Sequence, residues 1–214
     1  MPRKRADSFK IALETLRDEL RRGRHAPGAR LTANDIAERL SLSQTPVREA
    51  LSRLTGEGLL LDRRGQGFFV PALGEHDLID LFHMQLEVLL IACSGEAILS
   101  AADVERLRAR GANAGAPEDL PLASERLLRA FTATSSPTLA RHLGRLHDQL
   151  ASVRASEPQV LEDLAEELET LSSTLMAGDV HAIRDVLTGF FERRMKAAPL
   201  LAKRQEASAN IVPI

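Results

Sequence analysis

Residues Thr32–Val70 read TANDIAERLSLSQTPVREALSRLTGEGLLLDRRGQGFFV, and this stretch decides the fold. Thr32 precedes a short helical run with Asp35 three residues on, a capping-box-like start, and Leu31, Ile36 and Leu40 are its apolar positions. Ser43 can cap a following helix, and Pro46 falls in the first turn, where a missing N–H costs little. Val47, Ala50, Leu51 and Leu54 recur at i, i+3, i+4 and i+7, while Gln44, Arg48 and Ser52 mark the opposite, polar face. Gly56 and Gly58 end that helix. Beyond it, Leu59–Arg63 and Phe68–Val70 flank Arg64-Gly65-Gln66-Gly67, the pattern of a two-strand hairpin with a glycine-rich tip. Two short helices joined by a tight turn and followed by a basic hairpin read as a winged helix-turn-helix.

Upstream, Phe9, Leu13, Leu16 and Leu20 form one apolar stripe of a helix that Pro27-Gly28 stops. The 214 residues are 44% hydrophobic and 27% charged, a balance that excludes wholesale disorder. Aromatics are 3%, all phenylalanine, so the core rests on Leu, Val, Ile and Ala, which favours helices packing on helices. Cys93 is the only cysteine, excluding an internal disulfide and any multi-cysteine zinc site. No apolar run reaches the roughly 18 residues of a membrane span, and Met1-Pro-Arg-Lys-Arg is followed by no apolar signal core. The expected setting is the cytoplasm, away from membranes. Charge is distributed unevenly. Residues 1–72 carry 14 Lys+Arg against 9 Asp+Glu, a net +5, whereas residues 73–214 carry 14 against 21, a net −7. A basic front and an acidic back suit a front part that meets a polyanion.

Residues 10–72 resemble the DNA-binding domain of the GntR family of bacterial regulators. The resemblance lies in APGARLT at 26–32, IAERL at 36–40, SQTPVREALSRL at 43–54, EGL at 57–59 and RGQGFFV at 64–70. It implies a recognition helix that enters the major groove N-terminus first. It places DNA contacts on Ser43, Gln44, Thr45 and Arg48, with Asn34 on the preceding helix, and puts the wing tip Arg64, Gly65 and Gln66 in the adjacent minor groove or on the backbone. The Arg3-Lys4-Arg5 arm is expected as a solvated tail that can add non-specific phosphate contacts.

After Pro71-Ala72-Leu73-Gly74 the chain reads as helical throughout. Apolar periodicity predicts helices near 78–93, 101–110, 122–134, 138–153, 159–176 and 180–201, with Gly178 as a terminator and Asp179 as the next cap. The expected organisation is mainly α. It comprises a winged helix-turn-helix at 1–72 (three helices plus a two-strand wing), a linker at 73–76, an all-α bundle of about six helices at 77–204, and a tail at 205–214. The bundle resembles the FCD effector domain of the FadR branch of GntR regulators, on Leu86-Glu87, Ala130-Phe131-Thr132, Ser136-Pro137-Thr-Leu and Ala177-Gly178-Asp179.

Many FCD domains hold a divalent metal on one Asp and three His. Carried over residue by residue, those positions are Leu128, Thr132, Leu168 and Phe190, none of which supplies the lone pair that metal binding needs. His142 and His147 are five apart, on different helix faces, and His25, His76 and His181 fall at loop or cap positions expected to face solvent. His83 occupies a place where the family often carries an Arg facing the cavity. The reading is therefore a pocket without metal or other cofactor, lined by Leu128, Leu168 and Phe190, with Thr132 and His83 as its few polar groups. Such a pocket suits a largely apolar effector such as an acyl chain or an aromatic acid. Two alternatives stay open at this point: His83 as a core residue bonded to a backbone carbonyl, and the lost metal site as solid core.

The resulting function is a homodimeric, ligand-responsive transcriptional regulator that binds a double-stranded operator, with the effector acting through the Pro71–Gly74 junction. The alternative is a DNA-binding regulator whose back domain only dimerises or docks protein. An enzyme is disfavoured, because no nucleophile–base pair is evident. One family departure generates a test. The family commonly has Arg where this chain has Gln44, and Arg pairs with guanine O6/N7 whereas Gln pairs with adenine N6/N7. Binding-site selection on the wild type and on Gln44→Arg should return different bases at that step. Identical preferences would mean that Gln44 faces water.

Overall fold

The computed structural model describes residues 2–93 and 120–209. Eight α-helices and one small sheet are present among them. The front begins with α1 (Pro2–Arg21), β1 (Arg30–Leu31), α2 (Ala33–Leu40) and α3 (Gln44–Gly56), and ends with β2 (Leu61–Arg63) and β3 (Gly67–Phe69). The back contains α4 (Glu75–Cys93), α5 (Leu120–Ser135), α6 (Pro137–Arg154), α7 (Leu164–Ala177) and α8 (Val180–Ala209). These form two compact units, Met1–Leu73 together with the end of α8 from Lys203, and Gly74–Ala202.

In the first unit the local signals act as read. Thr32 sits in extended backbone and its Oγ1 accepts from the Asp35 N–H at 3.2 Å, starting α2. Ser41 closes α2 in the left-handed region (φ 54°), which turns the chain towards α3. The apolar positions of α3 all go inward: Val47, Ala50, Leu51 and Leu54 have no solvent exposure, and they share one core with Ala12, Leu16 and Leu20 of α1 and Ile36 of α2. Each leucine, isoleucine or valine among them contributes about 1.5–3 kcal/mol by leaving water. The sheet has the order β1-β3-β2, antiparallel throughout, with Leu31 opposite Phe68 and Leu61 opposite Phe69. β1 was not expected from the sequence, because a two-residue strand has no periodicity to read. The Arg3–Arg5 arm, expected as a tail, falls within α1, which starts at Pro2.

In the second unit, α4 turns Leu78, Phe82, Gln85, Leu86 and Leu89 inward. It packs on α6, which in turn packs on α5, and α5 packs on α7. Gly178 ends α7 with φ 76°, and Asp179 Oδ1 accepts from the His181 N–H at 2.9 Å, so this helix turn forms as read. Two boundaries differ from expectation. The helix expected from Gln159 starts at Leu164, because Glu157–Gln159 takes a 3-10 turn and Asp163 a left-handed conformation (φ 53°). The tail expected at 205–214 begins instead as helix, since α8 runs through the exposed Pro199 to Ala209. Burial of Ala198, Leu201, Ala202 and Gln205 offsets the hydrogen bond that the proline removes. The helix expected near 101–110 lies outside the described residues.

Two buried carboxylates fasten the first unit. Glu57 accepts from Arg17 and, at 2.8 Å, from Arg53 Nε. Glu19 on α1 accepts from both terminal nitrogens of Arg39 on α2 and lies 2.9 Å from His25 Nε2. His25, expected in solvent, is thus drawn onto Glu19, with its side chain only 20% exposed. The hydrogen bonds from Arg39 hold the Glu19 carboxyl below its ordinary value of 4.5 despite the opposing effect of burial, and His25 adds to the lowering. A depressed carboxylate contributes stability above its unfolded pKa and loses it as pH falls through the folded value. Glu19→Gln should therefore lower stability by about 1–2 kcal/mol near neutral pH, discounted because Arg39 is half exposed. That gap should close on acidification, and urea unfolding at neutral and acid pH measures both.

Candidate nucleic-acid interface

With one face of α3 committed to the core, the helical period turns Ser43, Gln44, Thr45 and Arg48 outward, and all four are exposed. Ser43 caps the helix in extended backbone (φ −77°, ψ 156°) without a side-chain cap hydrogen bond. Its hydroxyl therefore sits beside the open N–H groups at the positive end of α3, a setting that favours phosphate oxygens. Asn34, in the first turn of α2, is exposed as well, and Gln44 Nε2 donates to its Oδ1 at 2.8 Å. The fold thus brings Asn34 and Gln44 together, and the bond limits the orientations Gln44 can present. The Gln44 Oε1 remains an acceptor and the second Nε2 hydrogen a donor, the pair that the edge of adenine requires.

The wing tip is a tight turn. The Gln66 N–H donates to the Arg63 carbonyl at 2.7 Å and Gly65 takes φ 77°, a conformation that a Cβ would strain. Arg64, Gly65 and Gln66 are exposed there, and the Arg63 guanidinium lies 4.6 Å from the centre of the Phe69 ring, supporting the hairpin from within. Charge follows the same division. Arg17, Arg39 and Arg53 are held by Glu57 and Glu19, whereas among the described residues Arg48 and Arg64 meet no carboxylate. Their charge is available to an outside polyanion.

Residues 11–70 match the family described as "Bacterial regulatory proteins, gntR family". A probable D-xylose utilization operon transcriptional repressor of Paenarthrobacter nicotinovorans is 30% identical over 185 residues, 79% of this chain and 79% of its own. The chain belongs to the gntR family of bacterial regulatory proteins. The Nta operon transcriptional regulator of Aminobacter aminovorans is 42% identical over 59 residues, 28% of each chain. The HTH-type transcriptional regulator McbR of Escherichia coli is 40% identical over 77 residues, 36% of this chain and 35% of its own. The chain therefore spans only about a third of the length of these two relatives at that level of identity. Two solved structures share the fold: E. coli McbR/YncC (TM-score 0.70, 24% identity, 92% of this chain and 98% of that one) and a GntR regulator from Rhodococcus sp. RHA1 (0.71, 21%, 90% and 97%).

The second unit of this GntR protein treats its expected pocket residues unequally. Leu128 and Thr132 on α5 have no solvent exposure and Phe190 on α8 is buried, but Leu168 on α7 is only half-buried. Thr132 Oγ1 donates within its own helix, 3.1 Å from the Leu128 carbonyl and 3.2 Å from that of Arg129. Phe190 also borders a cleft of about 310 Å³ between α7 and α8, beside Glu166, Glu167 and Arg193. These four residues do not fit a metal, and no three His, Cys, Asp or Glu side chains converge among the described residues. His83 is corrected outright. Its side chain is 61% exposed and sits 3.4 Å from Glu87, because the buried face of α4 runs through Phe82, Gln85 and Leu86 and leaves His83 outside. Besides Thr132, the inward polar groups of this unit include Gln85, Glu125, His147, Arg154, Glu157 and Arg194 among the described residues, none of which the sequence reading gave as a site residue. A buried arginine on an apolar helix face has the same sequence signature as a surface one.

The Asn34–Gln44 bond gives a prediction. Asn34→Ala should leave the fold intact and relax base preference at the step read by Gln44, with a loss of discrimination of about 1 kcal/mol. Parallel binding-site selection on the two proteins measures it.

Proposed function

We propose that the chain is a DNA-binding transcriptional regulator that grips a short pseudo-palindromic operator as a homodimer. Its second unit resembles an FCD effector domain of the FadR branch, and we assign it the sensing of a small, largely apolar metabolite without metal. The observation that carries the DNA reading is the open polar row of α3. Ser43, Gln44, Thr45 and Arg48 face out beside Asn34, and among the described residues Arg48 and Arg64 meet no carboxylate, whereas Arg17, Arg39 and Arg53 are paired. Phosphate contacts position such a helix, and base edges then specify the site. The sensing reading keeps Leu128, Thr132, Leu168 and Phe190 as pocket candidates and drops His83. A second reading, a bundle that only dimerises, is favoured by the inward-bonded hydroxyl of Thr132 and the complete burial of Leu128, as in solid core.

For Arg48→Ala, operator affinity should fall and the slope of log K against log salt should flatten by about one unit, the signature of one lost phosphate contact. Mobility-shift titrations over a salt series read both quantities, and an unchanged slope would remove Arg48 from the interface.

A further inference from the structure

The centre of the second unit holds a charge that the chain does not match. Arg154, the last residue of α6, is 2% exposed. Its Nη2 donates to Gln85 Oε1 at 2.6 Å, but among the described residues Nε and Nη1 meet no hydrogen-bond acceptor. At least three of its five N–H donors are therefore unmet. The nearby acids are committed elsewhere. Glu157 grips Arg194 through both oxygens, at 3.3 and 2.9 Å, and Glu125 takes Arg129 Nε at 2.8 Å. Burial pulls the pKa of Arg154 down, and Arg194 and Arg129 repel it while Glu157 and Glu125 attract it only at a distance. A guanidinium does not shed its proton in a protein, so the charge stays. Packing alone would be served better by an apolar side chain of the same volume, since that exchange is neutral or stabilising for buried charges.

Gln85 is held for its part. Its Oε1 accepts from Arg154, so its Nε2 is the donor towards His147 Nδ1, 3.3 Å away on α6. We propose that Arg154, positioned by Gln85, anchors an anion site in the second unit, which takes the carboxylate of an otherwise apolar small molecule. The proposal rests on the sensing reading and names its ligand class. A planar carboxylate supplies two acceptors at the spacing of a guanidinium edge, and Nη2 retains one hydrogen to complete a fork with Nε or Nη1. The guanidinium thereby supplies a positive charge in a unit whose carried-over metal positions, Leu128, Thr132, Leu168 and Phe190, offer no ligand.

The test is a thermal-shift titration of the full chain, in EDTA and at fixed ionic strength, with octanoate and benzoate beside the neutral octanamide and benzamide. The wild type should show saturable stabilisation by an acid and none by its amide. Arg154→Met should weaken the acid on the order of 30-fold while its ligand-free melting temperature stays level or rises. Arg154→Lys, which keeps the charge but loses the fork, should bind the acid with intermediate strength and decides the matter if the Met variant does not fold. An acid and its amide binding equally, or an acid response that survives in Arg154→Met or is undiminished in Arg154→Lys, overturns the anion site and leaves the sensing reading standing. Silence of the wild type towards all four compounds overturns the sensing reading and the anion site with it.

Discussion

The seam between α1 and α3 governs which side chains of α3 the first unit presents outward. Ala12 and Leu16 from one helix and Leu51 and Leu54 from the other are closed to solvent within a single core. Fixing that face of α3 fixes the opposite one, because side chains three and four residues apart share a side of the helix. Gln44 and Arg48 look outward for this reason and need no contact of their own to hold them there. The Glu19 and Glu57 clusters work on the same seam from its edges. Glu57 neutralises Arg17 and Arg53 together and Glu19 takes Arg39, and each carboxylate ties α1 to a partner helix, α2 through Glu19 and α3 through Glu57.

The second unit solves a different problem. Its helices pack through leucine and alanine, yet its middle contains Arg154, Arg194, Glu157, Gln85 and His147. Arg194 shows how a buried charge is accommodated. Burial alone would lower its pKa, but Glu157 and Glu167 outweigh that and raise it, and the guanidinium stacks over the Phe190 ring at 3.4 Å. Arg154, by contrast, has one amide and, among the described residues, no carboxylate in hydrogen-bond contact. The contrast between the two arginines, both buried and differently satisfied, is what separates a structural ion pair from a binding group.

The first unit was legible in the sequence because its determinants are local. The cap at Thr32, the apolar repeat of Val47, Ala50, Leu51 and Leu54, and the glycines of the wing act within a few residues of themselves, and each forms as the spacing predicts. The interior of the second unit was not legible. His83 and Gln85 are two residues apart on α4, both polar, and only the rotation of α4 against its neighbours sends Gln85 inward and His83 to the surface. The continuation of α8 past Pro199 escaped for the same reason, since burial of Ala198, Leu201 and Ala202 overrode a local preference.

Sequence by itself determined that two helices and a hairpin form in this order, because turn chemistry and periodicity are properties of neighbouring residues, and its resemblance to the gntR family singled out Asn34, Ser43, Gln44, Thr45, Arg48 and the wing tip as the candidate readers. Only the tertiary structure decided that Asn34 bonds Gln44, that Glu19 captures His25, and that Arg154 lies buried with donors to spare. Hydrogen bonds between helices and the desolvation of a charge depend on which faces meet, and no spacing along a single chain encodes that meeting.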